Sequence, residues 1–408
     1  MITIIKREEC CGCSACQQIC PRHCITMEPD NEGFLYPQTD IKKCIGCHLC
    51  ETVCPVRHSE RERIPIEVYA AYNKDEHIRS ISSSGGLFTV VAEEVIKRGG
   101  IVFGVRFDEE WNAVFDYTKE VDDLQLFRGS KYVQAYMGDA YKNVRFFLEQ
   151  GILVLFTGTP CQISGLKSFL RKGYKHLILL DLICEGVPSP KVWQKYLHEE
   201  KDKQSKIYFS SSKETYIKYL SFRNKEFGWK QFGFVLQLAS KSHEKIVNAN
   251  INRSSTYLQA LFNYLDLRPI CYECPFKGCR SQSDITIADY WGINYLHPEM
   301  DDDKGTSMVY INTLNGRDFF PFSDVHLLKT NYEEAFHYNN IVTSVKKHPN
   351  RDKFYNNIDK KKSIIKWLGN CTFPLSYKIK ELAKKHLRKL FSSKTYKKLE
   401  SLWRKKRK

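Results

Sequence analysis

The sequence predicts a multidomain protein of the α+β and α/β classes, in which a small cysteine-rich unit precedes an α/β body with a mixed sheet. Three observations carry this. Ten of the 16 cysteines fall within residues 1–58, a stretch too short to bury much apolar surface without a staple. From Val68 onward, apolar strand-like runs alternate with amphipathic helical periods. Small-residue loops stand at the ends of those runs, where α/β folds place their functional turns. With 408 residues, 42% of them hydrophobic, the chain is long enough for more than one core.

Taken in order, a charged linker HSERERIPIE separates residues 1–58 from a segment spanning 66–205. VYAAY reads as a strand, followed by SSSGG and a helix GLFTVVAEEVIKRGG that Gly99 and Gly100 close. IVFGVRF and AVFDYTK read as strands and GDAYKNVRFFLEQG as an amphipathic helix. ILVLF is a buried strand that breaks at TGTPCQ into the helix ISGLKSFLRK; HLILLDLIC repeats this, turning at EGVPSP into a helix through Lys203. Across 206–350, KIYFS, TYIKYLSFR and FVLQLAS suggest a β meander. The helix STYLQALFNYL, the loop RPICYECPFKGCR and the strands DITIADYW and MVYINT follow. A basic tail, 351–408, ends the chain. No internal repeat is visible beyond the two cysteine motifs.

The net charge of +16 resides in that tail, which holds 20 Lys/Arg against 4 Asp/Glu; residues 1–350 carry 43 of each sign. The body therefore has no electrostatic preference for polyanions, no nucleic-acid motif accompanies the charge, and nucleic acid is not an expected partner. In the tail, Ile379, Leu382, Ala383, Leu387, Leu390 and Phe391 recur at helical spacing among lysines, and Trp403 stands near the end. This fits a surface helix attracted to anionic lipid, making peripheral membrane contact, or a basic helix packed on the body or a partner. There is no signal-peptide core, and no apolar run approaches the ~20 residues of a spanning helix. A cytoplasmic location is expected, and in a reducing cytosol the cysteines argue for metal thiolates rather than disulfides.

The cysteines show two copies of C-x2-C-x2-C-x3-C-P, at Cys10, Cys13, Cys16 and Cys20, and at Cys44, Cys47, Cys50 and Cys54. Three thiolates at this spacing wrap one corner of an iron–sulfur cube, and the fourth reaches the other cube. One 4Fe–4S cluster should then take Cys10, Cys13, Cys16 and Cys54, and the other Cys44, Cys47, Cys50 and Cys20, in a bacterial-ferredoxin-like domain. Zinc also favours paired cysteines, but two complete copies ending in Cys-Pro point to iron–sulfur. Cys11 reads as a bystander rather than an alternative ligand, and Cys24 as a small hydrophobe. Four further cysteines, Cys161, Cys184, Cys271 and Cys274, fall at two strand ends and in CYEC; adjacent parallel strands lie ~5 Å apart. From spacing alone these are either buried structural thiols or ligands of a third site, with Cys279 a competing ligand. Cys371 looks structural.

The stretches SSSGGLFTVVAEE, GSKYVQAYMGD, VLFTGTPCQISGLKSFL, LDLICEGVPSPKVW, RPICYECPFKGCRSQSDITIADYWGI and GTSMVYINT make the chain resemble the coenzyme F420 hydrogenase/dehydrogenase beta subunit family, over about residues 5–330. The resemblance implies an α/β flavin-binding domain behind the two-cluster module, a third cluster on Cys161, Cys184, Cys271 and Cys274, and bound FAD. Cys279 departs from the family's pattern, which leaves the fourth ligand of that cluster open. The residues are compatible with a flavin. Ser82, Ser83, Ser84, Gly85 and Gly86 precede a helix whose N-terminus favours a diphosphate, although the same loop could be a plain N-cap. Arg128, Ser130, Lys131 and Gln134 add a cation and donors, or form a surface turn. Thr157, Gly158 and Thr159 make a small loop beside Cys161, where a flat ring could approach. Asp284 and Asp289 read as structural.

The expected function is an iron–sulfur flavoprotein oxidoreductase passing electrons between ferredoxin-type clusters and FAD, which exchanges hydride with an organic substrate or coenzyme. The alternatives are a non-catalytic electron-transfer subunit of a larger redox complex, and a membrane-associated scaffold with structural clusters. Expected partners are a redox protein such as ferredoxin or a reduced coenzyme, and a small-molecule substrate of unknown identity. The sequence identifies no catalytic acid and leaves a homo-oligomer open.

Overall fold

The computed structural model describes residues 1–209, 215–241, 244–249, 255–339 and 342–373. The N-terminal unit contains one hairpin, β1 (Ile25–Pro29) against β2 (Leu35–Thr39), antiparallel. Asp30 shapes its turn by accepting hydrogen bonds from the backbone N–H groups of Glu32 and Phe34. The two cysteine motifs flank the hairpin and end in short helices, Ala15–Ile19 and Leu49–Thr52.

The body is built on an eight-stranded sheet. Its strands are β3 (Glu67–Asn73), β4 (Ile101–Phe107), β5 (Ala113–Thr118), β6 (Val154–Gly158), β7 (Leu177–Leu182), β11 (Ile285–Asp289), β12 (Ser307–Ile311) and β13 (Val325–Thr330), in the order β13-β3-β12-β11-β7-β6-β4-β5. The centre, β4-β6-β7-β11, is parallel and the flanks are antiparallel, a mixed sheet as the sequence predicts. Its central strands are apolar on both faces, as sandwiched parallel strands must be. Val102, Leu155, Ile178 and Leu180 pack with the helix Leu87–Lys97 on one side. Ile101, Phe103, Val154, Phe156 and Leu179 meet the helices Ala140–Glu149 and Pro160–Leu170 on the other. Cys11, Cys13, Ala15 and Val53 belong to that second core, so the cysteine unit is docked onto the body rather than tethered beside it.

The meander β8 (Tyr216–Asn224), β9 (Gly233–Ala239) and β10 (Glu244–Ala249) forms a separate antiparallel sheet. It packs through Phe222 and Phe234 on Trp193 of the helix Pro190–Tyr208 and on Tyr257. Three expectations need correction. KIYFS is not a strand: Lys206, Ile207 and Tyr208 complete the Pro190 helix, because Gln204 and Ser205 are buried and hold its last turns in place. The strands of 66–205 and 206–350 share one sheet, since β11 pairs with β7 and β12 with β3. Residues 351–373, grouped with the basic tail, are packed: Phe354, Tyr355 and Leu368 are buried in the core around Trp193. The tail's amphipathic stretch lies outside the described residues.

Asp266 is buried in the same region, and neither carboxyl oxygen meets a donor from another residue. Burial pushes its carboxyl up to about 7, its own backbone and the Arg351 guanidinium only partly opposing this. The folded chain thus keeps a proton that the unfolded chain releases near pH 4. Stability should therefore fall as pH rises from about 4 to 7 and then level off. Asp266→Asn should flatten that slope and raise the melting temperature at pH 8, each pK unit being worth about 1.4 kcal/mol. Equal pH slopes in variant and parent, measured by thermal melts between pH 5 and 8, would refute it.

Candidate redox centres

The two cysteine motifs fold alike. Gly12 and Gly46 sit at equivalent positions with φ of 73° and 67°, and Ser14 and His48 follow at 62° and 59°. These left-handed residues turn the backbone around the thiols. Cys10, Cys13, Cys16 and Cys54 line one cavity of about 330 Å³, with Ile2, Ile4 and Val56 among its apolar walls. Three cysteines of the first motif and the last of the second thus share one space. Burial raises the Cys16 thiol, with Cys10 and Cys54 adding to it. Burial raises Cys54 as well. Buried thiols whose thiolate forms repel one another ionise readily only beside a cation, and the set fits a 4Fe–4S cube.

The partners expected for the other cube, Cys20, Cys44 and Cys50, lie in one apolar cluster with Cys24. Cys24 is more than a small hydrophobe there: its sulfur is 3.3 Å from that of Cys20, and Cys44 is also within hydrogen-bonding reach. The Ile2 N–H donates to Cys50 Sγ at 3.3 Å. Cys47 is exposed, so this group lies toward the surface and the Cys10 group inside.

Cys161 begins the Pro160 helix, whose first turn is closed by a capping box between Thr159 and Gln162. Cys184 follows β7. Since β6 and β7 pair in parallel up to Gly158 and Asp181, both cysteines leave adjacent strand ends. Cys271 and Cys274 come from the turn Pro269–Glu273. All four line one cavity of about 710 Å³. Burial, then Cys161 and Cys274, pushes the Cys184 thiol up to about 12, and burial, then Cys161, pushes Cys274 up to about 11. Cys279 lines the cavity too, but burial and Asp181 raise its thiol to about 12 while Arg63 opposes them, and no other cysteine contributes. Among the described residues no three His, Cys, Asp or Glu side chains come together closely enough to hold a single ion.

Cys11, read as a bystander to the ligand sets, stands between two of them. It is buried, within hydrogen-bonding reach of both Cys13 and Cys161, and it lines both cavities. The approach is close: a Cβ on Gly165 would stand 2.7 Å from the Tyr141 hydroxyl and 3.0 Å from Cys13 Sγ. Arg268, next to the CYEC loop, is also buried here and donates to the Cys10 carbonyl. Neither residue carries a sequence signal of its own.

The flavin candidates are dispersed. Ser83 Oγ accepts from the Ser130 N–H at 2.9 Å and lies 3.0 Å from Ser130 Oγ, so these two loops meet. Ser82 Oγ donates to the Ile78 carbonyl and Ser84 Oγ to that of Thr306. Gly85 is required by packing, because a Cβ would strike the Ala71 carbonyl at 2.7 Å; Gly86 has φ 81°. The Lys131 ammonium donates to the carbonyls of Leu126, Phe127 and Arg128. Gln134 is buried, donating to the Cys11 carbonyl and accepting from Arg268. Thr157 Oγ1 donates to the Phe103 carbonyl, Thr159 Oγ1 lies 3.2 Å from Cys161 Sγ, and Gly158 packs on Gln162. Arg128 donates to Thr89. Asp289 pairs with the buried Arg223, and Asp284 accepts from Thr313 and the Leu179 N–H.

Comparison with known proteins defines the class. A 4Fe-4S dicluster domain matches residues 9–58. The family models for the N-terminal and C-terminal parts of the coenzyme F420 hydrogenase/dehydrogenase beta subunit match residues 68–142 and 152–330. Those two together cover more than half of the sequence, and the chain belongs to the coenzyme F420 hydrogenase/dehydrogenase beta subunit family, with a 4Fe-4S dicluster domain at its N-terminus. No curated protein matches it. Among solved structures, a chain of the F420-reducing NiFe hydrogenase complex from Methanosarcina barkeri, studied by xenon derivatization, is 16% identical with a TM-score of 0.43. The match covers 76% of this chain and 91% of that one.

Proposed function

We propose that this chain is an iron–sulfur electron-transfer subunit of an oxidoreductase, with three 4Fe–4S clusters and an FAD. The clusters would be held by Cys10, Cys13, Cys16 and Cys54, by Cys44, Cys47, Cys50 and Cys20, and by Cys161, Cys184, Cys271 and Cys274. Bound clusters supply one-electron steps, and a bound FAD would join these to two-electron exchange of hydride with an organic substrate or coenzyme. The observation that carries the reading is the succession of cysteine sites from the surface inward, through exposed Cys47, half-buried Cys54 and buried Cys10, then Cys11 and Cys161. The protein's part is to dry the inner sites and fix their spacing. Ile41 and Ile45 are 73% and 63% exposed beside Cys44, an apolar landing for a redox partner such as ferredoxin. For FAD, the Ser82–Gly86 loop, which meets Ser130 through Ser83, would be the diphosphate site, with the Ser82 and Gly85 N–H groups already donating to the Arg79 carbonyl and the Ser307 hydroxyl.

A second reading is favoured by a specific observation: the polar groups of Lys131, Gln134 and Thr157 are already engaged within the protein. On that reading the chain is a relay and hydride chemistry belongs to a partner. Anaerobic purification with iron, sulfide and flavin quantitation separates the two. About twelve irons with one FAD support the first, and about twelve irons without flavin support the relay. Zinc in place of iron would sink both.

A further inference from the structure

Arg268 has no carboxylate partner among the described residues, although its side chain is wholly buried. Its Nε donates to the Cys10 carbonyl at 2.8 Å and Nη1 to Gln134 Oε1 at 3.0 Å. Its Nη2 donates to the Leu35 carbonyl at 2.8 Å and to Cys10 Sγ at 3.5 Å. The Tyr36 ring centroid lies 4.3 Å away. The ionisable groups around it include the thiols of Cys10, Cys11, Cys161 and Cys271 and the Tyr36 phenol. A buried charge without a counter-ion costs several kcal/mol, and a guanidinium cannot escape that cost by losing its proton. Lysine would be cheaper to neutralise and leucine cheaper to bury, so an arginine here implies an anion beside it in the working protein.

We propose that Arg268 is the countercharge of the cluster held at Cys10, Cys13, Cys16 and Cys54, and that it raises the reduction potential of that cluster. The inference rests on the iron–sulfur reading above. A cube accepting one electron gains one negative charge, and a fixed cation in a low-dielectric interior favours the reduced form. Hydrogen bonds to the ligating sulfurs act in the same direction, as the Nη2 contact to Cys10 Sγ does. Because Cys161 also feels the guanidinium and Cys271 acts on it, the cation stands at the junction between this cluster and the next cysteine group. Electrons arriving from the surface are thereby held where they can pass inward. Arg268 is a positioning residue, tuning a potential without touching substrate.

The test is a potentiometric titration of the anaerobically purified full chain, with dithionite as reductant and EPR as the readout. In Arg268→Met, one cluster couple should become at least tenfold harder to reduce at fixed potential, a shift of about 59 mV downward for a one-electron couple. The couple of the surface group should stay in place. Gln134→Glu keeps the side-chain volume and the contact to Nη1 while neutralising the cation, and should shift the same couple in the same direction. Arg268→Lys keeps the charge and should shift it by less than half as much. Should the methionine variant lose iron, the glutamate and lysine variants decide. Unmoved couples in iron-replete Met or Glu variants overturn the proposal, as does a lysine variant that moves as far as the methionine one. A parent protein without iron refutes the iron–sulfur reading itself.

Discussion

Replacing Cys54 by alanine should remove the cluster nested among Cys10, Cys13 and Cys16, although Cys54 belongs to the second motif. Its thiol lines the cavity of the first group, and the Cys10 thiol acts on it directly. Iron content should fall by about a third, roughly four atoms of twelve, with the surface cluster retained. The reciprocal variant, Cys20→Ala, should spare the inner cluster and remove the outer. Because Cys11 ties the inner cavity to Cys161, Cys54→Ala should also cut the route inward: a one-electron donor should still reduce the surface cluster, while reduction of the Cys161 group falls to background. Mössbauer or EPR spectra of the two variants distinguish the losses. If Cys54→Ala empties the Cys44, Cys47 and Cys50 site instead, the crossover is wrong.

The grouping of Cys54 with Cys10, Cys13 and Cys16 around one cavity is legible in the sequence because a cysteine loop is a local object. Two repeats of one spacing, each with glycine before the second thiol, specify two similar turns. The sandwiched strands were equally legible, since ILVLF and HLILL are apolar on both faces, and so was the pairing of strand ends that brings Cys161 to Cys184. The junction was not. Arg268 is one arginine among many in the sequence, and its partner Cys10 lies 258 positions away. Cys11 looked like a variable residue because spacing counts ligands, not neighbours. The hairpin of ITMEP and LYPQT carries prolines and charge and resembles loop, and VHLLKT is an edge strand with three exposed residues of six. Residues 351–373 were misread for a similar reason, as their lysines dominate the composition while Phe354, Tyr355 and Leu368 do the packing.

The docking of the cysteine unit should prove most sensitive at a contact that no motif announces. Glu32, in the hairpin turn, and Arg351, in the C-terminal segment, form a bidentate pair at 2.6 and 3.1 Å, both buried. Arg351 also donates to the Leu267 carbonyl at 2.9 and 3.1 Å, one residue before the arginine that holds Cys10. Breaking a buried pair leaves an uncompensated charge and costs about 3–5 kcal/mol. The two halves should differ. Glu32 without Arg351 still has Arg7 at 3.0 Å, whereas Arg351 without Glu32 keeps only the Leu267 carbonyl and the exposed Asp352 carboxylate at 3.9 Å, among the rings of Tyr272 and Tyr355. Glu32→Gln should therefore lie at the upper end of that range and Arg351→Met at the lower. The double variant should recover most of the loss, because neither buried charge is then left uncompensated by the other. Limited proteolysis across residues 57–66 reports the undocking directly, and thermal melts report its cost. Additive losses in the double variant would mean that the two side chains act independently and that the unit is held to the body mainly by its apolar face.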